Sequence, residues 1–319
     1  MSAAPPLLVA DIGGTNARFA LGRPGETALE HFRSLPVKDY PGLLQAVSTY
    51  LDSCPKRPTS AVMAVAGPVA EGAVRFINSP WHVTIDQLTD LGLGRATLLN
   101  DFEALAWAPP HLPSKDLVPL RPAAGLAGAT LAVLGPGTGF GVSALVRNGP
   151  DRISALATEG GHAAIGPVDE VEDALVHLLR GRHGRASIER LLCGPGLVIL
   201  HQALAEIAGQ PAPKETEPDQ ITRLALAEHE SPCGVTVTRF CAMLGSVAGD
   251  IALTTGARGG VYIAGGLAPR ILDFLAASPF RERFEAKGRY RDYMAAIPTS
   301  VITHPHPALL GAAISAARG

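Results

Sequence analysis

The sequence predicts an α/β protein with two lobes, and three observations support this fold class. The chain has 319 residues, which exceeds the length at which a single hydrophobic core usually keeps growing. Segments with the apolar pattern of strands alternate with segments of helical spacing. A strand, a glycine-rich turn and a second strand occur near the N-terminus and again at 129–146, which indicates a weak internal duplication.

The first third of the chain alternates between strand and helix patterns. The apolar run at 7–12 predicts a buried strand, and 17–22 predicts its hairpin partner. The segment 41–52 has its apolar residues on one helical face. Two further strands are predicted at 59–69 and 95–102, each followed by a loop.

A proline-rich segment at 106–122 marks the predicted lobe boundary, because it contains five prolines and interrupts the periodic pattern. Helices are predicted after it at 171–181 and 196–208, the second ended by Gly209. A long apolar helix is predicted at 238–256, where two glycines four residues apart allow close backbone contact. The segment 259–275 has the pattern of a strand, a glycine pair and a helix.

Composition and charge favour a small-molecule partner. The 27 basic and 29 acidic residues give a net charge of −2, which provides no field to attract nucleic acid or an anionic membrane. The N-terminal residues "MSAAPP" lack the pattern of a signal peptide. The apolar stretch 126–146 contains too many glycines for a membrane span. We therefore expect a cytoplasmic location and no nucleic-acid or membrane partner.

The cysteines and the C-terminal histidines do not predict a metal site. The four cysteines are far apart and form no Cys-x-x-Cys pair, so we expect reduced, buried thiols rather than a disulfide or zinc framework. His304 and His306 alternate with prolines and have no cysteine or third histidine nearby.

The glycine pair after the first strand predicts a phosphate-binding turn. In "DIGGTN", Gly13 and Gly14 allow an anion to approach the backbone N–H groups, and Thr15 and Asn16 add side-chain donors. Asp11 is placed to face a phosphate-bound Mg²⁺ through its water shell. The alternative is a hairpin that needs glycine only for a positive φ.

Two later turns have related patterns. "LGPGTGFG" offers Gly137 and the hydroxyl of Thr138, but Phe140 occupies the third glycine position of a dinucleotide fingerprint and no Walker lysine follows. In "IAGGLAP", Gly265 and Gly266 lie between a strand and a helix and suit the flat face of a nucleoside. Three such turns at strand ends together predict a nucleotide phosphate clamp.

Asn100 and Asp101 follow a predicted strand in "LLNDFEALAW". A carboxylate beside an amide can bind a sugar hydroxyl and accept its proton during phosphoryl transfer. The alternative is that Asp101 only caps the following helix.

Further polar residues suit a sugar-binding set. Glu159 and His162 flank a glycine pair in "TEGGHA", Glu189 lies in a short helical segment, and Asn78 lies in a turn fixed by Pro80. Carboxylates, imidazoles and amides can make paired hydrogen bonds to adjacent ring hydroxyls. Each residue alone is also compatible with an ordinary surface position.

In this order the motifs closely resemble the bacterial glucokinase family of the actin-like, hexokinase-type phosphotransferase superfamily. The matching segments extend from residue 9 to about 313 and are "DIGGTNARFAL", "INSPW", "LLNDFEALA", "GPGTGFG", "TEGGHA", "ERLLCGPGL", "IAGGLAPR" and "HPALLGAA". The resemblance implies a two-lobed actin-like ATPase (ribonuclease H-like) fold, each lobe a mixed β-sheet flanked by helices, with a cleft between the lobes. It implies a small lobe of 1–110, completed by a C-terminal helix at 299–319, and a large lobe of 111–298.

The resemblance also implies ATP-dependent phosphorylation of the 6-hydroxyl of D-glucose with Mg²⁺, the first step of glycolysis, by a homodimer. Asp101 resembles the catalytic base, and the residues that resemble the glucose-binding set are Asn100, Glu159, His162 and Glu189, with Asn78 close by. Those that resemble the nucleotide-binding turns are Asp11, Gly13, Gly14, Thr15, Asn16, Gly137, Thr138, Gly265 and Gly266.

Two other functions fit parts of the pattern. One is a kinase for another hexose, such as mannose, fructose or an N-acetylated hexosamine. The other is a non-catalytic, sugar-sensing regulator, but DNA-binding versions usually carry an added helical domain, and here the first strand begins within ten residues of the N-terminus. The related repressor-and-kinase family carries a zinc motif after its Glu-x-Gly-His turn, and 159–175 contains no cysteine.

Overall fold

The computed structural model describes residues 5–76, 81–149 and 151–318. The strands in chain order are β1 (Leu7–Ile12), β2 (Asn16–Gly22), β3 (Glu30–Pro36), β4 (Ser60–Val65), β5 (Val69–Ala70), β6 (Ala73–Arg75), β7 (His82–Thr84), β8 (Arg95–Asn100), β9 (Leu117–Arg121), β10 (Leu131–Pro136), β11 (Phe140–Arg147), β12 (Ile153–Ala155), β13 (Gly260–Ile263) and β14 (Thr299–Ile302). The helices are α1 (Leu43–Ser53), α2 (Ile85–Asp90), α3 (Asp101–Ala106), α4 (Glu170–His183), α5 (Ile188–Leu191), α6 (Gly194–Ile207), α7 (Pro218–Ala227), α8 (Pro232–Thr255), α9 (Leu272–Ala277), α10 (Phe280–Glu285), α11 (Arg291–Ala295) and α12 (Pro307–Ser315).

The chain divides into two compact units. Unit 1 comprises Met1–Pro113, Ala155–Ala157 and His304–Gly319, and unit 2 comprises Ser114–Ser154 and Thr158–Thr303. The segment 299–319, expected from the sequence as a C-terminal helix of the small lobe, begins instead with β14. This strand pairs with β13 and β9 in the sheet of unit 2, so the chain returns to unit 1 only at His304.

The main sheet of unit 1 has the strand order β3-β2-β1-β4-β8. Strand β1 is antiparallel to β2 and parallel to β4, which in turn is parallel to β8. Both faces of β1 are covered: Leu8, Ala10 and Ile12 pack into a core shared with α1, and Leu7 and Val9 pack against α12. Burial on both faces explains why the first strand appears as a continuous apolar run.

The predicted strand at 59–69 is interrupted in the structure. Strand β4 ends at Val65, and β5 begins only at Val69. Gly67 has a φ of 155°, and its N–H donates to the carbonyl of Val65 at 3.0 Å. The glycine therefore forms a turn where the apolar pattern alone predicts a longer strand.

The sheet of unit 2 has the order β12-β11-β10-β13-β14-β9. Its β10 is antiparallel to β11 and parallel to β13, as β1 is antiparallel to β2 and parallel to β4. The duplication predicted from the two glycine turns is thereby confirmed. Mixed sheets flanked by helices confirm the predicted α/β class.

Helix α8 packs its glycines against α10. An ideal Cβ on Gly245 would lie 2.1 Å from the carbonyl oxygen of Phe280, and one on Gly249 would lie 2.7 Å from that of Phe284. The predicted close backbone contact is confirmed, since no other residue type fits without moving one of the helices.

By length and composition alone, α8 could also cross a membrane. Its most apolar window has a mean hydropathy of 1.2, and 72% of that window is buried inside the protein. Such burial is typical of the central helix of a hydrophobic core.

Candidate active site

In unit 1, three parallel strands end at the same edge of the main sheet. Ile12 of β1, Val65 of β4 and Asn100 of β8 lie in register at their carboxyl ends. Ligands of open α/β sheets bind beyond the carboxyl ends of parallel strands. The predicted residues 11–16 and 100–101 therefore lie where this fold binds ligands.

The turn after β1 leaves its backbone accessible. Gly14 and Thr15 are exposed, and the N–H of Gly13 donates to the carbonyl of Asn16 at 3.0 Å. Neither Gly13 nor Gly14 has a positive φ. The alternative of a hairpin that needs glycine for a positive φ is therefore wrong, whereas an open backbone suits an anion.

Asp11 lies near the end of strand β1 at this edge, and its side chain is 20% exposed. Arg18 lies opposite in the hairpin and donates from Nη1 to Oδ2 of Asp11 at 3.1 Å. Burial raises the pKa of the Asp11 carboxyl, although Arg18 and His306 act in the opposite direction. The sequence reasoning missed Arg18, because its position opposite Asp11 depends on the register of the hairpin.

The two C-terminal histidines make local contacts next to this edge. The His306 ring stacks on Phe32 with centroids 4.3 Å apart, and the backbone N–H of His306 donates to Nδ1 of His304 at 3.1 Å. The pKa of His306 is lowered, chiefly by burial and then by the charge of Arg18.

Asn100, rather than Asp101, caps helix α3. Its Oδ1 accepts from the N–H groups of Phe102 at 3.0 Å and Glu103 at 3.3 Å, while Oε2 of Glu103 accepts from the N–H of Asn100 at 3.2 Å. These reciprocal bonds form a capping box. The signal was present in the sequence as an asparagine three residues before a glutamate.

Asn100, and not Asp101, is therefore the N-cap residue of α3. Asp101 is the first residue of α3, is partly exposed, and accepts from the N–H of Phe102 at 2.9 Å. Asn100 is nearly buried, and its Nδ2 also donates to the carbonyl of Gly67 at 3.4 Å. Most of the hydrogen-bonding capacity of Asn100 is therefore used within the protein.

In unit 2, the end of β10 and the turn after β13 meet so closely that both require glycine. An ideal Cβ on Gly135 would lie 2.2 Å from the carbonyl oxygen of Ala264. One on Gly265, which has a φ of 82°, would lie 2.2 Å from that of Pro136. The end of β10, which leads into the first predicted nucleotide turn of this unit, thus packs directly on the second turn at Gly265. The sequence reasoning missed this role of Gly135.

The other predicted positions in these turns are open. Thr138 and Gly266 are exposed, and no heavy atom beyond the neighbouring residues lies within 4 Å of an ideal Cβ on Gly266. The N–H of Gly137 donates to the carbonyl of Gly139 at 2.8 Å, and the carbonyl of Gly137 accepts from Gly194 at 2.9 Å. These bonds fix the turn while leaving the Thr138 side chain exposed.

The predicted acidic and imidazole groups of unit 2 form a cluster. Nε2 of His162 lies 3.9 Å from Oε2 of Glu159, and Nδ1 lies 3.9 Å from Oε1 of Glu189. The Gly160–His162 segment forms one turn of 3-10 helix. An ideal Cβ on Gly161 would lie 2.0 Å from the carbonyl oxygen of Phe140, so the turn packs directly on β11.

Glu189 joins this cluster to the nucleotide turn. Its Oε2 accepts from the N–H of Phe140 at 2.8 Å, immediately after the turn that contains Gly137 and Thr138. An ideal Cβ on Gly139 would lie 2.4 Å from the same carboxylate oxygen. The sequence reasoning predicted Glu189 only as a sugar ligand and gave no sign of this contact, which depends on the packing of α5 beside β11.

Asn78 lies outside the described residues. The structure brings the other predicted sugar-binding residues together in two sets, Asn100 and Asp101 in unit 1 and Glu159, His162 and Glu189 in unit 2. Each set lies within the same unit as a predicted phosphate-binding turn.

Comparisons with known proteins match nearly the whole chain. The sequence model of the glucokinase family matches residues 8–319. A glucokinase from Caulobacter sp. (strain K31) is 50% identical over 313 residues, which cover 97% of this chain and 94% of that protein. Another from Hahella chejuensis (strain KCTC 2396) is 44% identical over 315 residues, covering 98% of this chain and 97% of that protein.

A solved structure shares the fold. The crystal structure of a glucokinase from an Antarctic psychrotroph has a TM-score of 0.87 and 37% identity, and the match covers 97% of this chain and 98% of that one. A glucokinase of the ROK family from Streptomyces griseus, solved with glucose and AMPPNP, has a TM-score of 0.66 at 18% identity, covering 97% of this chain and 98% of that one. At this identity the second match concerns the fold alone.

Proposed function

Because the chain belongs to the glucokinase family, we propose that it transfers the γ-phosphoryl group of ATP to the 6-hydroxyl of glucose, giving glucose 6-phosphate and ADP. The observation that carries the proposal is the double contact of Glu189. One carboxylate oxygen bonds the N–H of Phe140 beside the nucleotide turn, and the other faces His162 in the polar cluster. A residue that contacts both groups suits a reaction in which a sugar and a nucleotide must be aligned.

In the proposal the glucose ligands are Asn78, Asn100, Asp101, Glu159, His162 and Glu189. Asp101 accepts the proton of the 6-hydroxyl as this oxygen attacks the γ-phosphorus. A positioned base of this kind contributes about 10²–10⁴ in rate, while alignment and electrostatic stabilisation contribute most of the remainder. Exclusion of water when the sugar binds would limit ATP hydrolysis.

The nucleotide is assigned to the turns of Gly13 to Asn16, Gly137 and Thr138, and Gly265 and Gly266. The open backbone after β1 and the exposed hydroxyl of Thr138 offer donors to phosphate oxygens. The space beside Gly266 suits the flat face of a nucleoside. The AMPPNP bound by the Streptomyces griseus structural neighbour supports ATP as the donor.

Asp11 fits a Mg²⁺ ion that is bound through water. Mg²⁺ retains several waters and takes one or two carboxylates together with phosphate oxygens. Burial disfavours the charged form of the Asp11 carboxyl and raises its pKa, so a cation nearby would favour its ionised state. When bound, the ion neutralises charge on the transferring phosphoryl group.

The proposal also includes a cytoplasmic homodimer, in keeping with the resemblance of the sequence. Light scattering coupled to size-exclusion chromatography tests the oligomeric state, with twice the chain mass as the expected result. A mass equal to that of one chain at micromolar concentration would show that the dimer is wrong.

A coupled assay of glucose 6-phosphate formation tests the activity. We expect turnover with glucose, ATP and Mg²⁺, and little with mannose, fructose or N-acetylglucosamine. A sugar that leaves a buried polar group unpaired loses about 10⁴-fold in kcat/KM. Testing ADP and polyphosphate in place of ATP identifies the donor. No turnover with any hexose and donor would contradict the proposal.

Asp101→Ala tests the proposed base. We expect kcat to fall by about 10²–10⁴-fold or more, while calorimetry still detects glucose binding. Asp86→Ala is the matched control, because Asp86 is an exposed acidic residue in the first turn of α2 in the same unit. A kcat for Asp101→Ala equal to that of Asp86→Ala would remove the assigned role.

A further inference from the structure

Three side chains in unit 2, none of them in the proposed active site, converge on one point. His201 lies on α6, Glu215 in the connection between α6 and α7, and Cys233 in the first turn of α8. Their ligand atoms all lie within 4.8 Å of one another. Nε2 of His201 is 3.5 Å from Oε2 of Glu215 and 3.8 Å from Sγ of Cys233.

Hydrogen bonds on the far side of the imidazole determine its tautomer. The hydroxyl of Thr236 donates its proton to the carbonyl of Pro232 at 2.9 Å. Its oxygen therefore accepts from Nδ1 of His201, which lies 2.7 Å away. Nδ1 carries the proton, and in the neutral imidazole Nε2 carries a lone pair that faces the thiol and the carboxylate.

This orientation is the one that metal-binding histidines adopt, because their second ring nitrogen is held by an acceptor. The lone pair of Nε2 and the carboxylate oxygen are both acceptors, and the Cys233 thiol, 3.8 Å from Nε2, carries the proton that a bound cation would replace. His201 is only 3% exposed, so its Nε2 has little contact with bulk water. A protonated imidazole is the alternative source of the cation.

The separations suit a tetrahedral ion. With metal–ligand bonds of about 2.0–2.3 Å, neighbouring ligand atoms of a tetrahedral site lie about 3.3–3.7 Å apart. The 3.5 Å separation of His201 from Glu215 falls within this spacing, the 3.8 Å separation from Cys233 lies just above it, and Glu215 and Cys233 lie within 4.8 Å of each other. The Glu215 side chain is 28% exposed, which provides an entry path for the ion.

We propose that His201, Glu215 and Cys233 bind one Zn²⁺ ion, with water as the fourth ligand. A nitrogen, an oxygen and a sulfur donor together suit zinc, whereas Mg²⁺ takes oxygen ligands. On binding, the Zn–S bond forms as the Cys233 thiol releases its proton to solvent. The ion ties the connection between α6 and α7, which carries Glu215, to α6 through His201 and to α8 through Cys233.

A zinc competition titration with a chromogenic chelator on the full chain tests the site. We expect one Zn²⁺ per chain, and the Co²⁺-substituted protein should show a thiolate-to-cobalt charge-transfer band. Glu215→Gln and Cys233→Ser should each weaken zinc binding by at least about tenfold. Both variants keep nearly the same side-chain volume, and circular dichroism verifies that they fold.

Matched controls separate this site from adventitious binding. Glu217→Gln makes the same change two residues away at an exposed position, and Cys54→Ser removes the most accessible of the four thiols. Both should bind zinc as the unsubstituted chain does. Equal zinc affinity in Glu215→Gln, Cys233→Ser and these controls would overturn the proposal, as would the absence of stoichiometric binding in the unsubstituted chain.

Thr236 provides a test of the orientation of His201. Thr236→Val removes the hydroxyl with little change in shape and should lower zinc affinity by about 10–100-fold. Thr236→Ser keeps the hydroxyl and should restore affinity. If His201 is instead protonated and paired with Glu215, neither the unsubstituted chain nor any variant binds stoichiometric zinc, and the proposal is wrong.

Discussion

Asn100 and Asp101 are adjacent in sequence, yet the structure gives them different tasks. The hydrogen bonds of Asn100 to Phe102 and Glu103 complete the N-terminus of α3, and the carboxylate of Asp101 shares the N–H of Phe102 with it. The sequence left this choice open, because either residue type caps helices well. The geometry of the first turn decided it.

Asp11, a proposed binding residue, illustrates how a buried carboxyl can lower stability. Its folded-state pKa is raised by burial above the ordinary value of 3.8. The folded protein therefore holds this proton more tightly than the unfolded chain does, and stability falls as the pH rises from the ordinary pKa through the raised one.

Asp11→Asn should therefore raise the melting temperature at pH 7, because the amide carries no charge to desolvate. The difference from the unsubstituted protein should shrink as the pH falls below 3.8, where the carboxyl is protonated in both states. Melting curves from pH 3 to 8 measure this, with the exposed Asp39→Asn as control. A lower melting temperature at pH 7 would mean that the Arg18 ion pair outweighs the burial.

At the scale of elements, a buried carboxylate joins α4 to α8 and α10. Glu172 is 1% exposed and accepts from Arg283 at 2.9 and 3.0 Å and from Arg239 at 3.1 Å. Asp169, the N-cap of α4, also pairs with Arg239. Three helices that are distant in sequence are thus held by one network of charges.

Arg283→Met should destabilise unit 2 by about 3–5 kcal/mol, because it leaves Glu172 buried with less of its charge compensated. The matched control is Arg270→Met. Arg270 is 60% exposed and pairs with the exposed Asp219, so its loss should cost about 0–1 kcal/mol. Urea unfolding followed by circular dichroism compares the two, and equal midpoints would show that Glu172 is solvated.

At the scale of the whole molecule, the stability of the folded chain should depend on glucose, for which the proposal assigns ligands to the polar cluster of Glu159, His162 and Glu189. Ligand that binds only the folded protein stabilises it by about 2.7 kcal/mol at a hundredfold excess over Kd. If glucose binding requires this cluster in unit 2, glucose should raise the melting temperature of the unsubstituted protein but not that of Glu159→Gln.

Glu230→Gln, at an exposed position of the same unit, should retain the full glucose-dependent shift. Asp101→Ala should retain part of the shift while losing turnover. A full shift in Glu159→Gln would show that glucose is bound without the polar cluster of unit 2.

The sequence by itself determined the strands on either side of the glycine turns, the positions of those turns, the internal duplication and the family. Those features depend on local patterns of apolar residues, glycines and polar strand ends. Such patterns can be recognised in the sequence because they reflect interactions between residues that are close along the chain. Asp101 and the cluster of Glu159, His162 and Glu189 were predicted as separate motifs, and their assignment to one glucose remains a proposal. Only the tertiary structure decided which of these side chains meet.

The contact of Glu189 with Phe140, the pairing of Arg18 with Asp11 and the meeting of His201, Glu215 and Cys233 depend on packing between separate elements. For the three potential zinc ligands, their spacing in sequence suggested no metal site at all. A pattern along the chain specifies which face of an element is buried. The register and packing of elements, fixed by contacts between distant segments, determine which side chains approach within bonding distance.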